Sequence, residues 1–178
     1  MPDKPKGKIV LAVGLPGSGK STYFARRGIQ PLSTDALRLW LLDDETDQSH
    51  AAYIFGTLRS LVKIRLKLGR PVTYIDATNL SPLERRPFFR IANFYGYDVE
   101  AIFFDIPFEV CCRRNRARLH PVPQHAMQRM AQKLVPPTAE EGFSGIRVIK
   151  MSNRAATHGK PGQAASEGLR SAGQSKLL

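Results

Sequence analysis

The stretch Gly14-Leu15-Pro16-Gly17-Ser18-Gly19-Lys20-Ser21 constrains this chain more than any other feature. It fits the spacing G-x-x-x-x-G-K-[ST]. Just before it, Lys8–Val13 is apolar and β-branched and reads as a buried strand, and just after it Lys20–Arg27 reads as a helix. A strand that turns through glycines into a helix points successive backbone N–H groups into one cradle, which suits phosphate oxygens. The helix N-terminus adds its dipole at the same place. In such a loop Lys20 reaches the β- and γ-phosphates of ATP, Ser21 holds Mg2+, and Gly14 through Gly19 with Thr22 complete the lining. The alternative, a bare glycine turn, has the flanking strand and helix against it.

Strands and helices alternate along the rest of the chain. Pro31–Ser33 reads as a short strand leading into a helix from Asp35 to about Leu42, and Asp43–Asp47 as an acidic loop. A long helix is expected from Ser49 to Leu68, with an apolar side of Ile54, Leu58, Leu61, Ile64 and Leu68. Arg59, Lys63, Lys67 and Arg70 fall on its other side, read as a solvated face ahead of a nucleic-acid track. Val72–Ile75 is a strand ending at Asp76. Ser81 caps the next helix, with Pro82 at its first position and Glu84 completing a capping box, and Tyr95-Gly96 ends it. Val99–Phe104 is a strand, Pro107–Arg118 a helix broken by Pro121 and Pro123, and a further helix runs to Leu134. Pro136-Pro137 stops that helix, and Ile146–Ile149 is the last strand. The pattern implies a parallel α/β sheet with ligands at the carboxyl ends of its strands.

The 178 residues suit one domain. Residues 1–7 read as a flexible leader, 8–150 as the domain, and 151–178, rich in Gly, Ala, Ser and Gln, as a disordered tail. Lys and Arg number 27 against 15 Asp and Glu, a formal charge of +12, which favours a polyanionic partner: nucleic acid, nucleotide or an acidic membrane surface. No apolar run is long enough to span a bilayer, and no signal-peptide pattern follows the basic start, so a cytoplasmic protein without membrane insertion is expected. Cys111 and Cys112 are adjacent, too close for an ordinary disulfide, and read as free thiols. His50, His120, His125 and His158 show no metal-ligand spacing.

Three further groups carry chemistry. Asp35 follows the second strand, where a carboxylate would face the phosphates and could take a proton from an attacking hydroxyl. The competing, compatible reading makes it the helix N-cap. Arg38, three residues on, can fork onto a phosphate. Asp76, with Asn79, closes the third strand. It either organises Mg2+ through water or pairs with Arg38 and aims it, and the plain alternative is a turn. Arg114 and Arg118 are four apart, as on one helix face, and on a lid over about 113–134 they would neutralise a transferring phosphoryl group. The alternatives are a basic helix end favoured by the dipole or a nucleic-acid patch.

Gly14–Ser21, Ser33–Arg38, Asp76–Asn79, Arg114-Asn115-x-x-Arg118 and Val135-Pro136-Pro137…Glu141-Gly142-Phe143, in this order, resemble the 5′-hydroxyl polynucleotide kinase family over about residues 8–150. The resemblance implies a P-loop NTPase fold of the kinase type, a five-stranded parallel sheet flanked by helices with a helical lid. It implies ATP and Mg2+ at Lys20 and Ser21, Asp35 activating a 5′-hydroxyl, Arg38 holding the adjacent substrate phosphate, and Arg114 and Arg118 gripping the ATP phosphates. Asp76 and Asn79 complete the expected substrate side. The expected activity is γ-phosphoryl transfer to the 5′-OH of RNA or DNA, with nucleic-acid ends as partners and separate phosphatase or ligase enzymes completing any repair. The alternatives are a kinase of a small hydroxyl metabolite or nucleotide sugar, and a nucleic-acid-binding ATPase that phosphorylates no acceptor.

Overall fold

After Lys8 the first strand has no polar side chain, and a strand of that kind is stable with both faces covered. In a computed structural model, which describes residues 4–151, it is β1 (Lys8–Val13), the centre of a five-stranded parallel sheet. Its neighbours are β3 (Val72–Asp76) and β4 (Asp98–Asp105); β2 (Leu32–Ser33) and β5 (Gly145–Lys150) form the edges, in the order β2-β3-β1-β4-β5. Ser33 pairs with Asp76, so β2 and β3 end level with each other. The helices are α1 (Lys20–Ala25), α2 (Thr34–Leu42), α3 (Ala51–Lys67), α4 (Pro82–Tyr95), α5 (Phe108–Arg116) and α6 (Gln124–Lys133). The anticipated five-stranded parallel sheet flanked by helices is what the structure shows.

Side chains alternate across β1. Ile9, Leu11 and Val13 join Ile75, Ile54, Leu58, Val62, Phe88 and Ala92 in the larger core, on the face covered by α3 and α4. Val10 and Ala12 pack on the other face with Tyr23 and Phe24 of α1 and with Ile102 and Phe104. A third cluster, Leu15, Leu80, Cys111, Cys112 and Met127, seats α5 and α6 against the glycine loop. Both cysteines are buried free thiols. Among the described residues no helix is long and apolar enough to cross a membrane.

Several boundaries differ from the sequence expectation. Helix α3 starts at Ala51, without a side-chain cap, and buries Ile54, Leu58, Val62 and Leu66. Ile64 and Leu68, expected inside, are 53% and 67% exposed. The helix packs along an i+4 ridge, which drifts around the cylinder away from the i+3 positions. Burying such side chains is worth about 1.5–3 kcal/mol each, more than a cap of about 1 kcal/mol, so packing holds this helix. Helix α2 starts at Thr34 because Ser33 is its cap, its Oγ accepting from the N–H of Asp35 and Ala36. Asp35 therefore lies within the first turn instead of at the cap. Helix α5 stops at Arg116, and Arg118 lies beyond its Ala117 C-cap. Asn115 causes the stop: its amide donates to the Val122 carbonyl (2.7 Å) and accepts from the Val122 N–H (3.1 Å). In the expected leader, the Lys6 N–H donates to Gly96 and the Gly7 carbonyl accepts from Asp98, both at 2.9 Å. Residues 1–3 and 152–178, with most of the expected tail, lie outside the described residues.

Arg85 joins three segments. It is fully buried; its Nε and Nη2 donate to Glu141 (2.9 and 2.6 Å), and its Nη1 to the carbonyls of Asn79, Leu80 and Val135 (3.0, 3.2 and 3.0 Å). It thus ties the loop after β3 to the chain leaving α6. Arg85→Ala should cost about 3–5 kcal/mol, since it strands the Glu141 carboxylate and the carbonyls of Asn79 and Val135, while that of Leu80 keeps the Val135 N–H. Urea unfolding of the two proteins measures this, and a loss under about 1 kcal/mol would contradict it.

Candidate active site

The carboxyl ends of β1, β2 and β3 deliver their next residues to one edge of the sheet. From β1 comes the glycine loop. Gly17 (φ 78°) lies so close to α5 that a Cβ there would run into the Cys111 carbonyl. Gly19 (φ 99°) takes the left-handed turn just before α1. Ser18 Oγ is buried there without a hydrogen-bond partner. Lys20 is buried, its Nζ donating to the carbonyls of Gly14 and Leu15, both at 2.9 Å. Burial pulls its pKa down to about 8, opposed by the charges of Asp76 and Asp35. A buried ammonium held only by neutral carbonyls, beside an orphaned hydroxyl, fits a cradle for phosphate.

From β3 comes Asp76, whose Oδ2 accepts from Ser21 Oγ at 2.7 Å. Burial raises the Asp76 pKa, while the Ser21 hydrogen bond and Lys20 oppose the rise. Asp76 is thus directed at the serine expected to hold Mg2+. The alternative, Asp76 aiming Arg38, is not what the structure has. Arg38 is 5% exposed; its Nη1 donates to Asp35 Oδ1 (3.0 Å) and its Nη2 to Gln48 Oε1 (3.1 Å). Its Nε is buried without a partner. Asp35 is half exposed, with Arg118 Nη2 at 3.9 Å from its other oxygen. Arg114 reaches over the loop, its Nη1 being 3.9 Å from where a Gly19 Cβ would stand. Arg118 thus comes to the site from the turn after α5, not from one helix face shared with Arg114.

Asn79, expected beside the acceptor, serves otherwise. It is buried with φ 47°, and its amide donates to the Ala12 carbonyl at 2.8 Å, fastening the loop after β3 to β1. Its commitment to the backbone outweighs its place at a strand end. Thr22 is exposed on α1.

The AAA domain family model matches residues 9–137, most of the chain. This protein belongs to the AAA domain family. The Arabidopsis thaliana transcription factor bHLH140 is 28% identical to it over 156 residues, 81% of this chain, and the chain spans only 16% of that protein's length. A candidate kinase from Chloroflexus aurantiacus superposes with a TM-score of 0.66 at 13% identity, covering 85% of this chain and 92% of that one. A chain of the Pnkp1/Rnl/Hen1 RNA repair complex superposes with a TM-score of 0.62 at 24% identity, over 74% of this chain and 45% of that one. At these identities the likenesses show the fold, the P-loop fold of the kinase type.

Within this AAA domain protein, Gln48 is a site residue that sequence reasoning missed. It sits in the acidic loop, which two turns shape: Asp44 Oδ1 accepts from the Thr46 N–H at 2.8 Å and Asp47 Oδ1 from the Ser49 N–H at 2.7 Å. The Thr46 and Ser49 hydroxyls donate to the same two oxygens, and these hydroxyl bonds first, with the backbone N–H bonds second, hold both carboxyl groups below the usual range. The Asp-x-Thr and Asp-x-Ser spacing was the available signal for those turns; nothing local marks Gln48 as a partner of Arg38. The Glu141 end of the Arg85 clamp lies past the matched residues 9–137.

Proposed function

We propose that this AAA domain protein is an ATP-dependent phosphotransferase that moves the γ-phosphoryl group of ATP to a hydroxyl, the 5′-OH of RNA or DNA. The observation that carries this reading is Arg38. A buried guanidinium fixed by Asp35 and Gln48, with its Nε unspent, sits beside a half-exposed carboxylate at the edge of the phosphate cradle. That pairing suits an acceptor that carries a phosphate next to its reacting hydroxyl. The shared fold with a chain of an RNA repair complex supports it further.

Lys20, Arg114 and Arg118 would hold the ATP phosphates and meet the charge that spreads over the moving phosphoryl group. Lys20 would exchange the Gly14 and Leu15 carbonyls for phosphate oxygens. Ser21, backed by Asp76, would hold Mg2+, which supplies charge neutralisation at the phosphates. Asp35 would take the proton of the acceptor hydroxyl as its oxygen bonds to phosphorus and the bond to the leaving ADP breaks. Arg38 would place the hydroxyl through the neighbouring phosphate, so that positioning and electrostatics carry the rate. Separate phosphatase and ligase enzymes are the partners a repair role would require.

The small-metabolite reading keeps one observation in its favour: Gln48, which grips Arg38, belongs to a loop with Asp43, Asp44, Glu45 and Asp47, a poor neighbour for a polyanion. A transfer assay with γ-labelled ATP against 5′-OH oligonucleotides and a panel of sugars and alcohols separates the readings. Label on the oligonucleotide is expected. Label only on a small alcohol would favour the metabolite kinase, and ATP hydrolysis without any labelled acceptor would favour the ATPase.

A further inference from the structure

We propose that the groove between α3 and α4 is a docking track for single-stranded nucleic acid, separate from the phosphoryl-transfer edge. The groove has a volume of about 440 Å³, with Arg59 and Lys63 on its α3 wall and Arg90, Phe94 and Tyr95 on its α4 wall. Over their whole length α3 and α4 carry one acidic residue, Glu84. That carboxylate is occupied by the capping box and by Lys133 at 2.6 Å. Among the described residues, Arg59, Lys63 and Arg90 form no ion pair. Arg65, two residues after Lys63, shows the contrast: it is spent on Thr73 Oγ1 and the Val72 carbonyl.

A merely solvated helix face mixes charges, because opposite charges four apart stabilise a helix and like charges destabilise it. Arg59 and Lys63 are a like pair at that spacing, so the arrangement works against the helix that carries it. At the end of the groove Phe94 is 81% exposed, with Tyr95 edge-on at 4.9 Å between ring centres. Cations on both walls with an exposed ring at the end of the α4 wall match a single strand: phosphates on the cations, a base stacked on the ring.

The placement gives the track a purpose. Both helices run from the edge that bears the site toward the opposite edge. Arg59 and Arg90 are eight residues into their helices and Lys63 and Phe94 twelve, about 12–18 Å along the axes. A strand must be several nucleotides long to touch both places. The inference deepens the polynucleotide reading, but binding without ATP tests it independently of transfer.

The experiment is fluorescence anisotropy with a labelled, 5′-phosphorylated single-stranded RNA of about a dozen nucleotides, within the usual site size. The 5′-phosphate prevents it from acting as an acceptor. Arg59→Ala/Lys63→Ala/Arg90→Ala should weaken binding at least about tenfold and reduce the salt slope by about 2, at ~0.7 per phosphate contact. Phe94→Ala should weaken binding by about tenfold with the salt slope unchanged, because stacking releases no counterions. Both variants should transfer to a nucleoside 3′-phosphate as the wild type does. Wild-type RNA affinity in both variants overturns the proposal. So does loss of binding to phosphatidylserine vesicles or to a polyglutamate peptide while RNA binding is kept. RNA binding that depends on these four residues, in a protein that phosphorylates nothing, supports the track and defeats the kinase reading.

Discussion

Lys20→Met should lower phosphoryl transfer by about 10²–10³-fold or more, the loss expected when a preorganised cation is removed from developing phosphate charge. The same substitution should leave the protein folded and make the ligand-free form more stable. Lys20 is buried, and its ammonium is satisfied only by the carbonyls of Gly14 and Leu15. Its pKa of about 8 lies below the ordinary 10.5, so between these values the unfolded chain binds a proton that the folded chain does not. Stability of the wild type should therefore rise with pH across that window relative to Lys20→Met. The advantage of the methionine protein is fully present below pH 8 and fades toward pH 10.5. Denaturation of both proteins at pH 7 and pH 10 reads this directly. Phosphate favours the charged lysine, so ATP binding near pH 8–9 should take up protons, visible as buffer-dependent heats. Undiminished transfer by Lys20→Met would sink the site assignment, whatever the stability result.

Which parts were legible in the sequence follows from how local their causes are. The glycine loop, the capping box at Ser81 and the turn at Tyr95-Gly96 are set by residues within a few positions of one another, and the structure has them where the sequence puts them. The alternation of elements was enough for the parallel sheet. Long-range pairing was not legible. Asp76 had two partners available on paper, Mg2+ and Arg38. It bonds Ser21, the serine expected at Mg2+, while Arg38 turns to Asp35 and Gln48. Asn79 looked like a cleft residue because it follows a strand end, yet the left-handed backbone there turns its amide back onto Ala12. The apolar face of α3 was misplaced because i+3 and i+4 steps are equally plausible on a helix rich in leucine, and only the packed neighbours choose between them. Arg118 moved off the helix because the clamp of Asn115 on Val122 cannot be seen in the spacing of arginines.

Asp35 and Arg38 should fail in different ways, and the difference tests the acceptor. Asp35→Asn keeps the shape but cannot accept a proton, so transfer should fall about 10²–10⁴-fold with ATP still bound. Arg38 Nη1 and Nη2 each spend one N–H, on Asp35 and Gln48, which leaves a second N–H on each nitrogen for the acceptor phosphate. A nucleoside 3′-phosphate should then be a far better acceptor than the bare nucleoside. Arg38→Ala should erase most of that preference while retaining more of the slow transfer to the nucleoside. In Asp35→Asn the preference should survive as the rate collapses, because Arg38 can still be held through Gln48. Arg38→Lys should behave like the alanine protein, since an ammonium cannot span Asp35, Gln48 and a phosphate as a planar fork does. Gln48→Ala should raise KM for the 3′-phosphate acceptor with little change in kcat, the mark of a residue that positions Arg38. Equal use of nucleoside and nucleoside 3′-phosphate by the wild type would remove the ground for a polynucleotide acceptor. Transfer to a simple sugar, with a preference for neither, would put a small-molecule acceptor on Asp35 in its place.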